Sequence, residues 1–174
     1  MKALIVYESM YGNTHAIADA LTAGLGPDAE VDICPVHAVG AVPAGLDLLI
    51  VGGPTHMHGL STAMSRSMAA SAAKDDAGKL APCATEQPGL REWLRDLDAP
   101  RTARAAAFDT RGDARAALTG SAARGIARRL RRRGLDVVDR NSFLVADTEG
   151  PLEDGGLERA RAWGEALRSD HGAS

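Results

Sequence analysis

Three short runs in this chain of 174 residues carry side chains able to hold or activate a ligand, and each directly follows an apolar stretch. The first, Ser9-Met10-Tyr11-Gly12-Asn13-Thr14, places two hydroxyls, a glycine and an amide between the run Lys2 to Tyr7 and a segment of helical periodicity. That junction suits a phosphate. Successive backbone N–H groups of a turn and a helix start form an anion nest, the helix dipole adds about half a positive charge, and Ser9 and Thr14 can donate hydroxyl hydrogen bonds. The same residue types also make an ordinary capped turn. The loop holds no Lys or Arg and matches neither Gly-x-x-x-x-Gly-Lys-Ser/Thr nor Gly-x-Gly-x-x-Gly, which disfavours triphosphate and dinucleotide chemistry.

The second run is Pro54-Thr55-His56-Met57-His58-Gly59. Its imidazoles, with unperturbed pKa values of about 6.5, could deliver a proton, and stacking on a planar ligand is their simpler use. No carboxylate lies beside them, so a metal site is not expected. The third run, Asp109-Thr110-Arg111-Gly112, offers a cation that either pairs with Asp109 or Asp113 or faces a ligand gaining negative charge. Cys34 and Cys83 are far apart, without a Cys-x-x-Cys, which argues against zinc and against a disulfide framework. No Gly-x-Ser-x-Gly elbow supports hydrolase chemistry.

Five apolar runs must position these loops: Lys2 to Tyr7, Glu30 to Pro35, Leu46 to Val51, Ala103 to Phe108, and Asp136 to Asp139 with Ser142 to Ala146, broken at Arg140-Asn141. Helices alternate with them. One is capped by Thr14 and carries Ile17, Leu21 and Leu25 up to Gly26-Pro27; others are expected over Ser61 to Ala73 and Pro88 to Leu97, the latter opening with its proline. A fourth follows Gly120-Ser121 and ends at Gly134, and a last one carries Leu157, Ala160, Gly164 and Leu167. Lys74 to Gln87 reads as a surface loop. Strands alternating with helices predict a doubly wound α/β domain, a parallel sheet with helices on both faces, spanning residues 1–174 as one domain. In such a sheet a ligand lies outside the carboxyl ends of the strands, where the three polar runs fall.

The composition, 45% hydrophobic and 25% charged, is that of a globular chain large enough to hold a core without staples. No run approaches the ~20 apolar residues of a membrane span, and Ala3 to Tyr7 is too short for a signal-peptide core, so a cytoplasmic protein without membrane attachment is expected. A net charge of −3 conceals 17 arginines among 20 basic residues. From Ala114 to Leu135 no acid occurs, while Arg115, Arg124, Arg128, Arg129, Arg131, Arg132 and Arg133 do. Ala123, Ile126, Ala127 and Leu130 would bury one stripe of that helix and leave most of the arginines in solvent. Nucleic acid is not expected as a partner, since no binding motif accompanies the patch and aromatic residues make up only 3% of the chain.

The first loop, a hydroxyl residue, any residue, Tyr or Thr, then Gly-Asn-Thr, directly after an N-terminal apolar strand, resembles the phosphate loop of the flavodoxins, which bind FMN. Asp47-Leu-Leu-Ile-Val-Gly-Gly-Pro-Thr55 and Phe108-Asp-Thr-Arg111 also resemble flavodoxin-like segments, and the likeness runs from Met1 to about Leu167. It implies a five-stranded parallel sheet of order 2-1-3-4-5 and FMN as cofactor. It would put Ser9, Met10, Tyr11, Gly12, Asn13 and Thr14 around the phosphate. Pro54, Thr55, His56, Met57, His58 and Gly59 would meet the ribityl chain and one flavin face, and Asp109, Thr110, Arg111 and Gly112 the pyrimidine edge. In that family a glycine-containing peptide of the second loop flips as the flavin takes a proton; here that is Gly59, or the His58 to Gly59 peptide.

The chain departs from the family pattern in two respects. Flavodoxins commonly sandwich the ring between Trp and Tyr, whereas the second and third loops here contain no aromatic residue, so His56, Met57 and His58 must stand in and weaker binding is expected. Trp93 reads as a half-buried helix residue rather than a flavin platform. Flavodoxins are also strongly acidic, and this chain is only mildly so. The resemblance implies an electron-transfer flavoprotein, expected to be monomeric, cycling one electron at a time between a reductase and an acceptor enzyme; the arginine run itself makes the Arg124 to Arg133 helix a candidate docking surface for an acidic redox partner by electrostatic steering. A two-electron FMN-dependent NAD(P)H:quinone or protoporphyrinogen-type oxidoreductase is the enzymatic alternative. A flavodoxin-like scaffold without FMN is the third. A response regulator is set aside, because strand one ends Tyr7-Glu8-Ser9 without paired carboxylates.

Overall fold

Every residue of the run Ala3 to Tyr7 is buried, as a strand covered on both faces requires. In the computed structural model, which describes residues 1–55, 59–62, 64, 67, 86–112, 120–147 and 150–172, this run forms β1 (Lys2–Tyr7). The other strands are β2 (Glu30–Pro35), β3 (Leu48–Pro54), β4 (Arg104–Gly112) and β5 (Asp136–Val145). All neighbours pair in parallel, in the order β2-β1-β3-β4-β5. Four helices connect them among the described residues: α1 (Asn13–Leu25), α2 (Leu90–Asp96), α3 (Ala122–Arg132) and α4 (Gly156–Gly172).

Strand alternation sorts the core into two layers. Leu4, Val6, Leu49, Val51, Ala105 and Ala107 face α2 and α3, meeting Leu90, Leu94, Ile126 and Leu130. Ala3, Ile5, Leu48, Ile50, Ala106 and Phe108 face α1 and α4, meeting Ile17, Leu21, Ala160 and Trp163. Each large aliphatic side chain withdrawn from water in this way contributes about 1.5–3 kcal/mol. On the second face small residues let the helices touch: a Cβ on Gly24 would collide with the Arg161 carbonyl, and one on Gly164 would stand 2.6 Å from the carbonyl oxygen of Leu21.

Several boundaries differ from the sequence expectation. β3 begins at Leu48 and runs on through Gly52-Gly53-Pro54, residues that looked like its closing turn. Gly52 is a strand residue because the Phe108 ring fills the space its side chain would need. β4 likewise continues past Phe108 through Asp109, Thr110 and Arg111, held by the pairings Gly53 to Asp109 and Pro54 to Thr110 and, on the other side, Arg111 to Leu144. β5 is unbroken at Arg140-Asn141; these are polar because they lie on an edge strand, and Val138 is the extra residue where the register shifts between Ala105 and Ala106. α2 begins at Leu90, so Pro88 precedes the helix rather than opening it. In α4, Leu157 is 44% exposed and Trp163 takes the core position instead. The expected helix 61–73 and loop 74–87 lie largely outside the described residues.

Candidate functional site

Strand order reverses between β1 and β3, where Tyr7 lies level with Gly52 and Gly52 with Phe108. The three polar runs emerge from this end of the sheet. In the first, Gly12 rather than Thr14 occupies the position before α1, with φ of 87°. That left-handed backbone favours glycine. Gly12, having no side chain, makes no cap hydrogen bond to α1, and the first turn contains no acidic residue, so the helix dipole there is not offset by a charge of its own. Ser9 Oγ accepts a hydrogen bond from the Gly12 N–H at 3.1 Å and thereby shapes the turn.

Thr14 lies inside the first turn of α1, buried, with its hydroxyl 2.8 Å from that of Thr110. This bond fastens the first loop to the end of β4. Asn13 lies against the segment after β5, since a Cβ on Gly150 would come within 2.6 Å of the Asn13 amide. Met10 is buried in the core, which leaves only its backbone for a ligand. Tyr11 and Gly12 are partly exposed. His15 stacks on Tyr7, ring centroids 4.8 Å apart and planes 5° from parallel, and its Nε2 lies 3.6 Å from Asp19.

Of the second run, Pro54, Thr55 and Gly59 are described and His56, Met57 and His58 fall outside the described residues. Thr55 is doubly used. Its hydroxyl donates to Asp109 Oδ2 at 2.9 Å and accepts from the Ala122 N–H at 2.9 Å. Gly59 stands where a Cβ would meet nothing within 4 Å.

Asp109 is completely buried, and Oδ2 collects three donors: Thr55 Oγ1, Ser121 Oγ at 2.7 Å and the Ala123 N–H at 2.9 Å. Ser121 Oγ in turn accepts from the Arg124 N–H at 3.1 Å. The first three amides of α3 are thus satisfied by Thr55, Asp109 and Ser121. Asp109 therefore anchors a helix, and its Oδ1 is buried without a hydrogen-bond partner among the described residues. Thr110 is buried against Thr14, Arg111 is half-buried and Gly112 is exposed.

Sequence reasoning missed a second clamp. Glu8, buried immediately after β1, accepts from the Ser61 hydroxyl and, through Oε2 at 2.8 Å, from the Leu90 N–H that opens α2. From α2, Arg91 reaches back to the carbonyls of Leu60 and Ser61 at 2.8 and 3.2 Å. The loop after β3 is held at its far end by this acid and this arginine. An acid directly following a fully apolar strand was the available signal. Trp93 packs half-buried against the first core layer, as expected of a helix residue. Among the described residues no group of three possible metal ligands occurs, and no helix is long and apolar enough to cross a membrane.

A parallel sheet of this order, with paired helices on each face and polar loops at the switch point, defines the doubly wound α/β class whose ligands sit in that crevice. The fold is flavodoxin-like. It matches flavodoxin 1 from Bacillus cereus with a TM-score of 0.63 at 19% identity, covering 98% of this chain and 99% of that one. A flavodoxin from the domain Archaea matches with a TM-score of 0.58 at 20% identity, covering 99% of both chains. A flavodiiron protein from Giardia intestinalis matches over 99% of this chain but 36% of its own, with a TM-score of 0.58 at 19% identity. No family model matches the sequence, and no curated protein matches it.

Proposed function

We propose that the protein binds FMN at the β1/β3 switch point and carries electrons one at a time between a reductase and an acceptor protein. The observation that carries this reading is the head of α1: a left-handed Gly12, no side-chain cap, no acid in the first turn, and the hydroxyls of Ser9, Thr14 and Thr110 gathered at the same end. Those donors fit a phosphate monoester. A dianion is favoured by the positive end of the helix dipole and by backbone N–H groups, and neutral donors suffice without a lysine.

FMN, when bound, supplies the redox chemistry; the protein sets its position and its potential. In this reading the amides of α1 and Ser9 hold the phosphate, Thr55 and Gly59 border the ribityl and ring region, and Asp109 keeps Thr55 in place from beneath. Arg111, at the end of β4, stands at the pyrimidine edge and attracts charge that accumulates there. Arg124 and Arg128 lie on the exposed side of α3, whose N-terminus is pinned to the site. They suit an acidic redox partner approaching that end by electrostatic steering.

The test is an FMN titration of the purified chain followed by anaerobic reduction in half-equivalents. The expected result is 1:1 binding with perturbed flavin bands and a distinct absorbing species at one electron per flavin. Absence of binding at saturating FMN refutes the cofactor assignment and leaves a scaffold. Passage to the fully reduced spectrum without that species refutes one-electron cycling and favours the two-electron oxidoreductase.

A further inference from the structure

At the opposite end of α3, away from the switch point, the helix converges on α2 to enclose a groove of about 330 Å³ lined by Leu94, Arg95, Arg129, Arg132 and Arg133. At 1.5 Å per residue, Arg129 and Arg132 of this groove stand about 10 and 15 Å along the axis from Ala122 at the pinned N-terminus of α3. Two further arginines crowd its surroundings. Arg91 acts on Arg129 from α2, and Arg101 packs where a Cβ on Gly134 would stand, with its Nε 3.4 Å away.

Among the described residues the four arginines of the groove outnumber the acids acting on them, Asp96 and Glu92. Arg95 is engaged by its neighbour Asp96 through two contacts of 2.8 and 3.0 Å, and Asp96 also feels Arg133. Arg129 has a hydrogen bond to the carbonyl of Gly125 in its own helix, at 3.0 Å. Burial, together with the like charges of Arg91, Arg128 and Arg132, pushes its guanidinium below its usual pKa. Cations in the last turn of α3 complement the helix dipole, which accounts for their presence on that helix. Arg95 holds the same position in the last turn of α2, so two helix C-termini bring their cations to one concavity.

We infer that the groove between α2 and the last turn of α3 is a binding site for a small multivalent phosphate of the pyrophosphate or nucleoside diphosphate class, held by Arg95, Arg129, Arg132 and Arg133. The volume falls in the range of small-molecule sites, about 300–1,000 Å³. Planar guanidinium forks match phosphate oxygens two at a time, which lysines would not. A multiply charged anion also relieves the repulsion around Arg129, so binding and stability rise together.

The experiment follows thermal unfolding of the full chain, with and without FMN, in pyrophosphate against sodium chloride of equal ionic strength. With pyrophosphate at about ten times its dissociation constant, the midpoint is expected to rise by about 3 to 6 °C above the chloride control. The rise should disappear in Arg129→Gln/Arg132→Gln, shrink in Arg95→Gln and persist in Arg124→Gln. Because the two paired substitutions are remote from the phosphate loop, the same comparison decides the matter whether or not FMN binds. An equal rise in the double variant, or none beyond chloride in the wild type, overturns the site. A rise with hexaglutamate but not with pyrophosphate also overturns it, and assigns the face to an acidic protein segment. Arg95→Gln, on an exposed position, keeps the test valid should the double variant fail to fold.

Discussion

Removing the Asp109 carboxylate should loosen α3 and the loop after β3 together, because one oxygen serves both. Asp109→Asn preserves shape and lets an amide oxygen occupy the place of Oδ2, facing Thr55, Ser121 and Ala123. What is lost is the charge. Hydrogen bonds to a charged acceptor contribute about 1.5–3 kcal/mol against about 0.5–1.5 kcal/mol for neutral ones, a difference of about 1 kcal/mol for each donor. Three donors give about 3 kcal/mol, and the new NH2 group must replace Oδ1 in a buried position without a hydrogen-bond partner among the described residues. For a chain of this size that corresponds to a midpoint lower by about 6 to 12 °C. Asp109→Ala should cost more, about 4–5 kcal/mol, since three donors then lose their acceptor outright. Urea unfolding of the FMN-free protein, followed by circular dichroism, measures both without the stabilisation a ligand adds. If both variants lose less than about 1 kcal/mol, Asp109 does not anchor α3 and the network has been misread.

Three further outcomes are expected. Gly24→Ala should destabilise by about 1–3 kcal/mol because its Cβ meets the Arg161 backbone, whereas Gly40→Ala, with nothing within 4 Å, should be near neutral; a denaturant series comparing the two checks this. Arg111→Ala should lower the two-electron midpoint potential of bound FMN by about 20–90 mV, the equivalent of about 1–4 kcal/mol of Coulomb attraction. A titration in which the couples stay put would remove Arg111 from the flavin edge. Burial, with Asp32 adding to it, raises the Cys34 thiol pKa, so less thiolate is present between pH 7 and 9 than on a free cysteine. Peptide-resolved alkylation should find Cys34 slower than free cysteine in that window, and an equal rate would contradict the geometry.

The five strands, their parallel arrangement and the Ser121 and Gly134 limits of α3 were legible because apolar runs, turn residues and helical spacing agreed with one another. The carboxyl ends of β3 and β4 were not. Gly52-Gly53-Pro54 and Asp109-Thr110-Arg111 have the composition of loops, and they are strand residues because the neighbouring strands pair with them, Gly53 and Pro54 with Asp109 and Thr110, and Arg111 with Leu144. Thr14 has the chemistry of a helix cap, yet a partner 96 residues away claims its hydroxyl. Glu8, Ser61 and Arg91 become one clamp only after folding. The convergence of arginines from α2 and α3 was equally hidden, since the spacing within α3 reveals a solvated face but says nothing of the helix lying against it.

The seam between α1 and α4 ties the ligand-binding end to the order in which the chain is made. Gly24 and Gly164 bring the two helices into backbone contact, and Ile17, Leu21 and Leu25 are covered on that side by Ala160, Trp163 and Leu167. α1 follows the first strand, but its cover is synthesised after the fifth. Until then the helix that carries the phosphate loop presents an apolar stripe to water, and its position over the sheet is under-determined. Closing so long a loop is slow relative to local helix formation. The cover of α1 is therefore completed only after the rest of the sheet has been made.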